Sequence, residues 1–381
     1  MKIAIITPGR SHLLDMSIQL AKHGHDVTFY TMVSKSRCEK FGFPRKNVVS
    51  FFWACAPLMF IFRKTKLPFD GNRYVYYCVC RIVDYLACLF LKECDIAITL
   101  SGCSLRAIKK ARRKYGAHII CHRGAKHILE QDRILKTIPT AEQVFPPDIH
   151  VELKQYDISD KIYVPSLHAA ESFVAHGMDG NKIFINPHGV NVSSFYPIKD
   201  AKPEYDVIFV GNWAYQKGVD LLVDACRKGG FTLLHVGNLV DCPFPREKGF
   251  THVHSVNQTE LVNYYAKAKV LALPSRQDGF GLVLAQAMAC GLPLVYSHDT
   301  GGPDLRNLIE HKEYLFEMEE YTAESLAAAI GKAVEASHHL PPHRNYLTAA
   351  DKQRITWDAC GNRYNEFLTT TAKQNKHGGA Q

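Results

Sequence analysis

Short runs of apolar residues alternate along the chain with longer segments in which apolar positions recur every three or four residues. Unbroken apolar runs of this kind are typical of parallel strands buried on both faces, and the recurring pattern indicates helices between them. The predicted strands cover residues 2–6, 26–30, 48–52, 95–100, 118–122 and 161–165, and then 206–210, 231–236, 270–273 and 292–296. The predicted helices include residues 12–23, 104–115, 218–228, 259–267 and 282–290.

The alternation of strands and helices runs twice, and a segment at 188–203 that contains Pro197 and Pro203 separates the two series. A chain of 381 residues is long for one domain and comfortable for two. We therefore predict an α/β protein with two Rossmann-like, doubly wound domains that face each other across a cleft. Their boundaries are expected at 1–190 and 191–350, followed by a terminal helix over 351–370 and a polar, disordered tail over 371–381.

Charge is distributed unevenly between the two halves. Residues 1–190 contain 27 Lys and Arg against 16 Asp and Glu, a net charge of +11, whereas residues 191–381 have a net charge of −2. An anionic partner is therefore expected to meet the first half. The 12 cysteines show no paired metal-ligand spacing, which favours reduced thiols and a cytoplasmic location. The chain opens on a strand pattern, so no signal peptide is expected, and its apolar runs are too short to span a bilayer.

The most informative segment is 274–293, which reads PSRQDGFGLVLAQAMACGLP. An apolar strand pattern ends at Pro274, a Gly-rich turn follows, and an Ala-rich helix pattern then runs to Gly291. Because backbone N–H groups are free at a helix N-terminus, this turn is a site suited to a phosphate. Asp278 lies in the turn and Gln286 two helical turns further on, so both can approach one ligand.

This segment resembles the signature of glycosyltransferase family 4, a family of the group 1 glycosyl transferases. These enzymes move a sugar from a nucleotide-sugar with retention of anomeric configuration. The family usually has two Glu separated by seven residues, which are replaced here by Asp278 and Gln286. The resemblance implies the GT-B fold, with the nucleotide-sugar bound in the second domain and the acceptor in the first. It also implies that Asp278 binds sugar hydroxyls and Gln286 the ribose. The turn residues expected to bind the donor are Gly279, Phe280 and Gly281.

A second loop, 211–218, follows the first predicted strand of the second domain and reads GNWAYQKG. A glycine turn with a lysine just before a helix suits a diphosphate, because the lysine offers a positive charge to the leaving group. The loop resembles the family's Gly-Arg-x-x-x-x-Lys-Gly, with Lys217 kept and the arginine replaced by Asn212. We expect Gly211, Asn212 and Lys217 to face the donor, and Arg276 or Arg10 to supply the missing cation.

Two loops of the first domain follow predicted strands and are therefore expected to face the cleft. The first, 7–12 (TPGRSH), resembles the family's opening turn, in which the backbone of Gly9 approaches donor and acceptor. Because the sequence lacks Gly-x-Gly-x-x-Gly, a nicotinamide enzyme is disfavoured. The second, 122–127 (HRGAKH), contains Arg123 and His127, which are expected to bind substrate. In the family a histidine of this region often reaches the transferred sugar, and we select His127 over His122, which can be the last strand residue.

Two segments of the first half combine basic and apolar residues, 51–66 and 106–114. At an anionic membrane each cation contributes about 1 kcal/mol, so these segments make the inner face of the membrane a candidate docking surface. The alternatives are a core strand with a loop for the first segment and a solvated helix face for the second. Nucleic acid is not an expected partner, because no motif interleaves aromatic and basic residues.

Taken with the resemblance, the motifs imply retaining, metal-independent transfer from a UDP- or GDP-sugar to a hydroxyl of a glycan or lipid-linked glycan, as in the synthesis of cell-envelope polysaccharide. No cofactor is expected besides the donor substrate, and the sequence has no Asp-x-Asp metal motif. The expected catalytic residues are Lys217, Asp278 and His127. Two alternatives stay open. One is a catalytically weak sugar-nucleotide-binding protein, suggested by Asn212, Asp278 and Gln286, and the other is a nucleoside-diphosphate-sugar epimerase on the same fold.

Overall fold

The computed structural model describes residues 1–64, 69–138 and 140–378, which form two α/β domains. The strands of the first domain are β1 (Lys2–Ile6), β2 (Asp26–Thr31), β3 (Val48–Ser50), β4 (Ile96–Leu100), β5 (His118–His122), β6 (Lys161–Val164) and β7 (Ile183–Ile185). Its helices are α1 (His12–Lys22), α2 (Lys35–Lys40), α3 (Phe52–Lys64), α4 (Phe69–Phe90), α5 (Leu105–Tyr115), α6 (Ile128–Lys136), α7 (Pro146–Ile158) and α8 (Leu167–Ala175).

The second domain begins after a connecting segment that follows β7. Its strands are β8 (Tyr205–Val210), β9 (Leu233–Val236), β10 (Phe250–Val253), β11 (Ala268–Leu273), β12 (Leu294–Tyr296) and β13 (Leu315–Glu317). The helices of this half are α9 (Val219–Gly229), α10 (Leu261–Tyr265), α11 (Leu282–Ala289), α12 (Gly302–Leu308), α13 (Ala323–His338), α14 (Ala349–Arg354) and α15 (Trp357–Gly378).

Both sheets are parallel and doubly wound. The first has the strand order β3-β2-β1-β4-β5-β6-β7, and the second has the order β10-β9-β8-β11-β12-β13. Strand β1 pairs with β2 on one side and β4 on the other, so the chain changes direction across the sheet between β1 and β4, and likewise between β8 and β11. In sheets of this kind ligands bind outside the carboxyl ends of the strands at such switch points. The predicted fold class, two Rossmann-like α/β domains, is confirmed.

The apolar strands are buried on both faces, as their unbroken hydrophobic runs require. In the first sheet Ile5 packs with residues of α1 and of the C-terminal helix α15, including Tyr364 and Leu368. Its neighbour Ile6 points to the opposite face and packs with residues of α4 and α5. Helix α15 therefore crosses back from the second half of the chain and covers one face of the first sheet.

Several element boundaries differ from the sequence prediction. Strand β3 ends at Ser50 and α3 begins at Phe52, so residues 52–64 are helical rather than a core strand with a loop, while residues 65–68 lie outside the described part. Strands β7, β10 and β13 were not predicted, because they are short edge strands that are only partly buried and so lack a strong apolar run.

The C-terminal region also differs. Helices α14 and α15 divide the predicted terminal helix, and α15 continues through residues 371–378 of the segment predicted to be disordered. Residues 379–381 lie outside the described part. Within residues 1–64, 69–138 and 140–378, every helix falls short of the length or apolar character that a bilayer crossing needs.

Candidate active site between the two domains

A cavity of about 260 Å³ lies between the domains, where the carboxyl ends of the two sheets face each other. The first domain contributes His12 and Gly124, and the connecting segment contributes His188. The second domain contributes the end of β8, the end of β11 and the start of α11. Small-molecule sites usually enclose about 300–1,000 Å³, so this cavity has the size for part of a nucleotide-sugar.

Lys217 and Asp278 form an ion pair at this cavity, with 2.7 Å between Nζ and Oδ2. The pair depends on close packing of the two loops that follow β8 and β11. A side chain on Gly218 would place its Cβ 2.0 Å from the carbonyl oxygen of Pro274, and Gly218 has a φ of +69°. Glycine is therefore required there, and its absence of a side chain lets Lys217 reach Asp278.

The turn after Asp278 leads into α11 with its N-terminus at the cavity. Gly281 precedes the helix with a φ of +71°, and Gly281, Leu282 and Val283 all line the cavity. The first N–H groups of a helix have no intrahelical acceptor, so these groups are available to an anionic ligand. Phe280 lines the cavity as well, with its ring buried.

The motif predicted that Gly279 binds the donor, but the structure places it at a contact between the two domains. Its N–H donates to Oδ1 of Asp278 at 2.7 Å, so that donor is already used. A Cβ on Gly279 would lie 1.6 Å from the carbonyl oxygen of Gly124, and its own carbonyl accepts from Oγ of Ser166 at 2.6 Å. Gly279 is therefore a contact between the domains, and a second contact joins Lys126 to Asp299 at 2.8 Å.

The structure does not bring Arg276 or Arg10 to the cavity. The guanidinium of Arg276 makes two 2.7 Å hydrogen bonds to the carboxylate of Asp220, and that of Arg10 lies over the ring of Phe41. Asn212 is exposed beside Gly211, which does line the cavity. Lys217 is the one Lys or Arg side chain among the described residues that line the cavity.

His127 and Arg123 also lie away from the cavity, although Gly124 of the same loop lines it. His127 stacks on His176 with 4.5 Å between ring centroids, and burial lowers its pKa to about 4. Its Nδ1 accepts from the N–H of Leu129 and so caps α6. Arg123 is buried and donates to Glu152 at 2.7 Å. In this structure both side chains stabilise the first domain.

Two further predicted residues lie outside the cavity lining. Gln286 is buried in the second domain, where its Oε1 accepts from the hydroxyl of Tyr265 at 3.0 Å. Gly9 is partly exposed, and no heavy atom lies within 4 Å of the position that a Cβ would occupy. The approach of its backbone to donor and acceptor therefore stays a prediction.

Sequence reasoning missed two cavity residues, His12 and His188. His12 is the first residue of α1 in the loop TPGRSH, and His188 stands in the segment NPHGV. For His12 the available signal was its place in a loop expected to face the cleft. Burial lowers the pKa of His12 to about 4 and that of His188 well below its ordinary value, so both rings are neutral near pH 7.

Sequence comparisons with known proteins give matches mainly in the second domain, and structural comparisons give matches to the fold. Residues 204–336 match the family model "Glycosyl transferases group 1". An uncharacterized glycosyltransferase of Methanocaldococcus jannaschii is 31% identical over 123 residues, which are 30% of this chain and 34% of that protein. The sulfoquinovosyl transferase SQD2 of Arabidopsis thaliana is 29% identical over 166 residues, 39% of this chain and 32% of that protein. The matched regions thus span about a third of each of these two relatives.

Two solved structures match nearly the whole chain. The sucrose-phosphate synthase of Thermosynechococcus elongatus superposes with a TM-score of 0.68 and 18% identity, covering 98% of this chain and 100% of that one. HepE of Anabaena, in complex with UDP and glucose, gives a TM-score of 0.67 and 15% identity, covering 97% and 99%. The expected group 1 type is thereby supported over residues 204–336, which are similar to the group 1 glycosyl transferases. The chain has the two-domain fold of the GT-B glycosyltransferases.

Proposed function

We propose that this protein is a retaining, metal-independent glycosyltransferase of family 4 that moves a sugar from a nucleotide-diphosphate-sugar to a hydroxyl of a glycan or lipid-linked glycan. The observation that carries the proposal is the Lys217–Asp278 ion pair beside the N-terminus of α11, in a cavity that both domains line. This arrangement offers a cation and free N–H groups to a diphosphate, with a carboxylate next to them for sugar hydroxyls.

In the proposed reaction the bond from sugar C1 to the acceptor oxygen forms as the bond from C1 to the phosphate oxygen breaks. The acceptor proton passes to the departing phosphate oxygen on the same face of the sugar, which accounts for retention. Lys217 stabilises the negative charge that grows on the diphosphate, with the N–H groups of Gly281 and Leu282. When the donor binds, Lys217 turns from Asp278 to the phosphate and Asp278 accepts from sugar hydroxyls.

The ligands of structurally similar proteins support this donor class. HepE of Anabaena has been crystallised with UDP and with UDP-glucose, and its fold matches nearly the whole of this chain. A panel of UDP, GDP, UDP-glucose, UDP-galactose and GDP-mannose therefore suits the first test. A ligand at 100 times its Kd stabilises the folded state by about 2.7 kcal/mol, so a thermal shift identifies the base and the sugar.

Transfer is then tested with the selected radiolabelled donor and an extract of lipids and envelope glycans, with and without EDTA. We expect incorporation that survives EDTA, and a product whose anomeric configuration by NMR matches the donor. Binding of the donor without transfer or hydrolysis would instead favour the sugar-nucleotide-binding protein. Conversion of UDP-glucose into its epimer would favour the epimerase.

We also propose that the first domain works at an anionic membrane surface. The ring of Phe51 lies 6.2 Å from that of Phe90, which brings the start of α3 to the end of α4. Around this contact Trp53 is 83% exposed and Phe90 59% exposed. Nζ of Lys110 donates to the carbonyl of Leu89, so the basic helix α5 lies next to this aromatic surface. Aromatic rings beside cations are the combination that binds anionic membrane interfaces.

A further inference from the structure

A row of three side chains, of which His122 and Tyr364 are fully buried, leads from the cavity to the C-terminal helix. His12 lines the cavity, and its Nε2 lies 3.1 Å from Nδ1 of His122. The Nε2 of His122 lies 2.7 Å from the hydroxyl of Tyr364, which α15 carries and which is fully buried. The row therefore joins a cavity residue to a hydroxyl 352 positions further along the chain.

The partners in this row determine where each hydrogen lies. Within the described residues the hydroxyl of Tyr364 has one hydrogen-bond partner, His122. A buried hydroxyl must place its hydrogen on an acceptor, so Tyr364 donates to Nε2 of His122. A neutral imidazole with an accepting Nε2 carries its hydrogen on Nδ1, so His122 donates to Nε2 of His12. The hydrogen of His12 is then on Nδ1, and this nitrogen is a donor that the row leaves free.

The same reasoning makes the free nitrogen of His188 a hydrogen-bond acceptor, whereas that of His12 is a donor. The hydroxyl of Tyr163 donates to the carbonyl of Asn186 at 2.7 Å, so its oxygen accepts from Nδ1 of His188 at 3.1 Å. The neutral ring of His188 then has an unprotonated Nε2, which is an acceptor. Within the described residues neither this nitrogen nor Nδ1 of His12 has a hydrogen-bond partner, and both residues line the cavity.

The two rings are neighbours, with 4.5 Å between their centroids. A free N–H donor on one ring and a free nitrogen acceptor on its neighbour match a hydroxyl group, which both accepts and donates. An ionised phosphate has only acceptors and would satisfy one of the two. Across residues 1–64, 69–138 and 140–378, no three His, Cys, Asp or Glu side chains converge as metal ligands would. The hydrogen-bonding pattern thus selects a hydroxylated ligand.

We infer that His12 and His188 form the subsite for a hydroxyl of the transferred sugar, and that His122 and Tyr364 are positioning residues that hold His12 as a donor. This subsite rests on the proposed function, and it extends the donor site from the diphosphate of Lys217 to the sugar. It also gives α15 a role, because the tautomer of a cavity residue depends on a hydroxyl that this helix contributes.

The binding test compares a nucleotide with its sugar-bearing form, using full-length protein and the pairs UDP with UDP-glucose and GDP with GDP-mannose. For the pair that binds, His12→Ala is expected to weaken the nucleotide-sugar about tenfold and leave the free nucleotide within twofold. Tyr364→Phe, which keeps the ring, should weaken only the nucleotide-sugar as well. Equal weakening of both ligands, or of neither, would overturn the inference.

Tyr346→Phe is the matched control, because this buried tyrosine donates to the carbonyl of Leu292 in the second domain, at 3.0 Å. It should change neither affinity. A change in the affinity for the nucleotide-sugar alone would also count against the inference, since it would show that any buried hydroxyl has this effect.

The second test is independent of any ligand. Long-range proton–nitrogen NMR of protein labelled with ¹⁵N-histidine reports the tautomer of each ring. The signal of His12 is assigned as the one that is missing from the spectrum of His12→Ala. We expect a neutral ring protonated on Nδ1, and a shift toward the Nε2 form in Tyr364→Phe. An Nε2-protonated His12 in the wild type would overturn the inference. If no nucleotide binds the wild type, the proposed function fails while this measurement still decides the tautomer.

Discussion

Nζ of Lys217 lies 2.7 Å from Oδ2 of Asp278, although the two residues belong to different loops of the second domain. The pair holds both side chains at the cavity before any ligand is present. A donor diphosphate must therefore replace the carboxylate as the partner of Lys217, while Asp278 becomes available to sugar hydroxyls. This exchange places the leaving group and the transferred sugar at neighbouring positions.

Replacing Lys217 with alanine is expected to lower kcat about 100-fold or more, because its charge stabilises the diphosphate as it departs. Steady-state kinetics with the donor selected by thermal shift provide the measurement. Lys269→Ala is the matched control, since Lys269 forms an ion pair of 2.8 Å with Asp206 in the same domain but does not line the cavity. A Lys217 variant with the kcat of the control would remove this residue from the mechanism.

Gly279→Ala is expected to prevent the domains from closing. Its Cβ would lie 1.6 Å from the carbonyl oxygen of Gly124, and backbone atoms cannot move aside as a flexible side chain can. We expect a larger radius of gyration in small-angle scattering and a loss of transfer. Gly331→Ala in α13 is the control, because the nearest heavy atom lies 3.9 Å from the added Cβ, and it should behave as wild type. Equal behaviour of the two variants would contradict this reading of the contact.

Gln286→Ala should lower the free energy of unfolding by about 1–3 kcal/mol, because it leaves the buried hydroxyl of Tyr265 without its acceptor. Urea denaturation measures the change. In the double variant with Tyr265→Phe the orphaned hydroxyl is gone, so the two losses should be less than additive. Strict additivity would show that the hydrogen bond contributes nothing. Titration of UDP and GDP into Gln286→Ala tests separately whether Gln286 binds the ribose of the nucleotide.

The folded protein should lose stability as the pH falls from about 6.5 to about 4, in part through His127. Burial lowers the pKa of this ring to about 4 in the folded state, whereas the unfolded chain has the ordinary value near 6.5. Between these values the unfolded state binds a proton that the folded state does not, which favours unfolding by up to about 1.4 kcal/mol per pH unit. His127→Asn keeps a helix-capping side chain and should reduce this slope, as measured by urea denaturation at several pH values. An unchanged slope would show that His127 titrates normally.

The membrane proposal predicts salt-sensitive binding to anionic liposomes. Lys110 and Arg112 donate to carbonyl and carboxylate groups of the first domain, so Lys109 and Arg113 are the better residues to replace. Changing both to Gln should weaken binding by about 1 kcal/mol per charge at low salt, and high salt should mimic the variant. Lys228→Gln, in the second domain, is the control. Wild-type protein that ignores anionic liposomes at low salt would refute the proposal.

The fold was accessible from the sequence because its signals are local. The apolar runs at 2–6 and 118–122 coincide with β1 and β5, since a strand buried on both faces needs an unbroken run. The turn and helix at 274–293 were likewise predicted from Gly281 and the apolar period that follows it. Edge strands such as β10 were missed, because partial burial leaves a weaker pattern.

The motifs predicted which loops meet at the cleft and that Lys217 and Asp278 lie there, but not the place of every other side chain. Arg276 is adjacent to the turn in sequence, yet it turns to Asp220, which lies 56 positions away. His127 caps a helix, while His12 lines the cavity and forms a hydrogen bond with His122, which is 110 positions away. Periodicity and turn residues report the local backbone and its burial, and so determined the fold class and the ligand-facing edge. The orientation and tautomer of each side chain depend on partners that come together only when both domains and α15 pack. These properties were therefore decided by the tertiary structure.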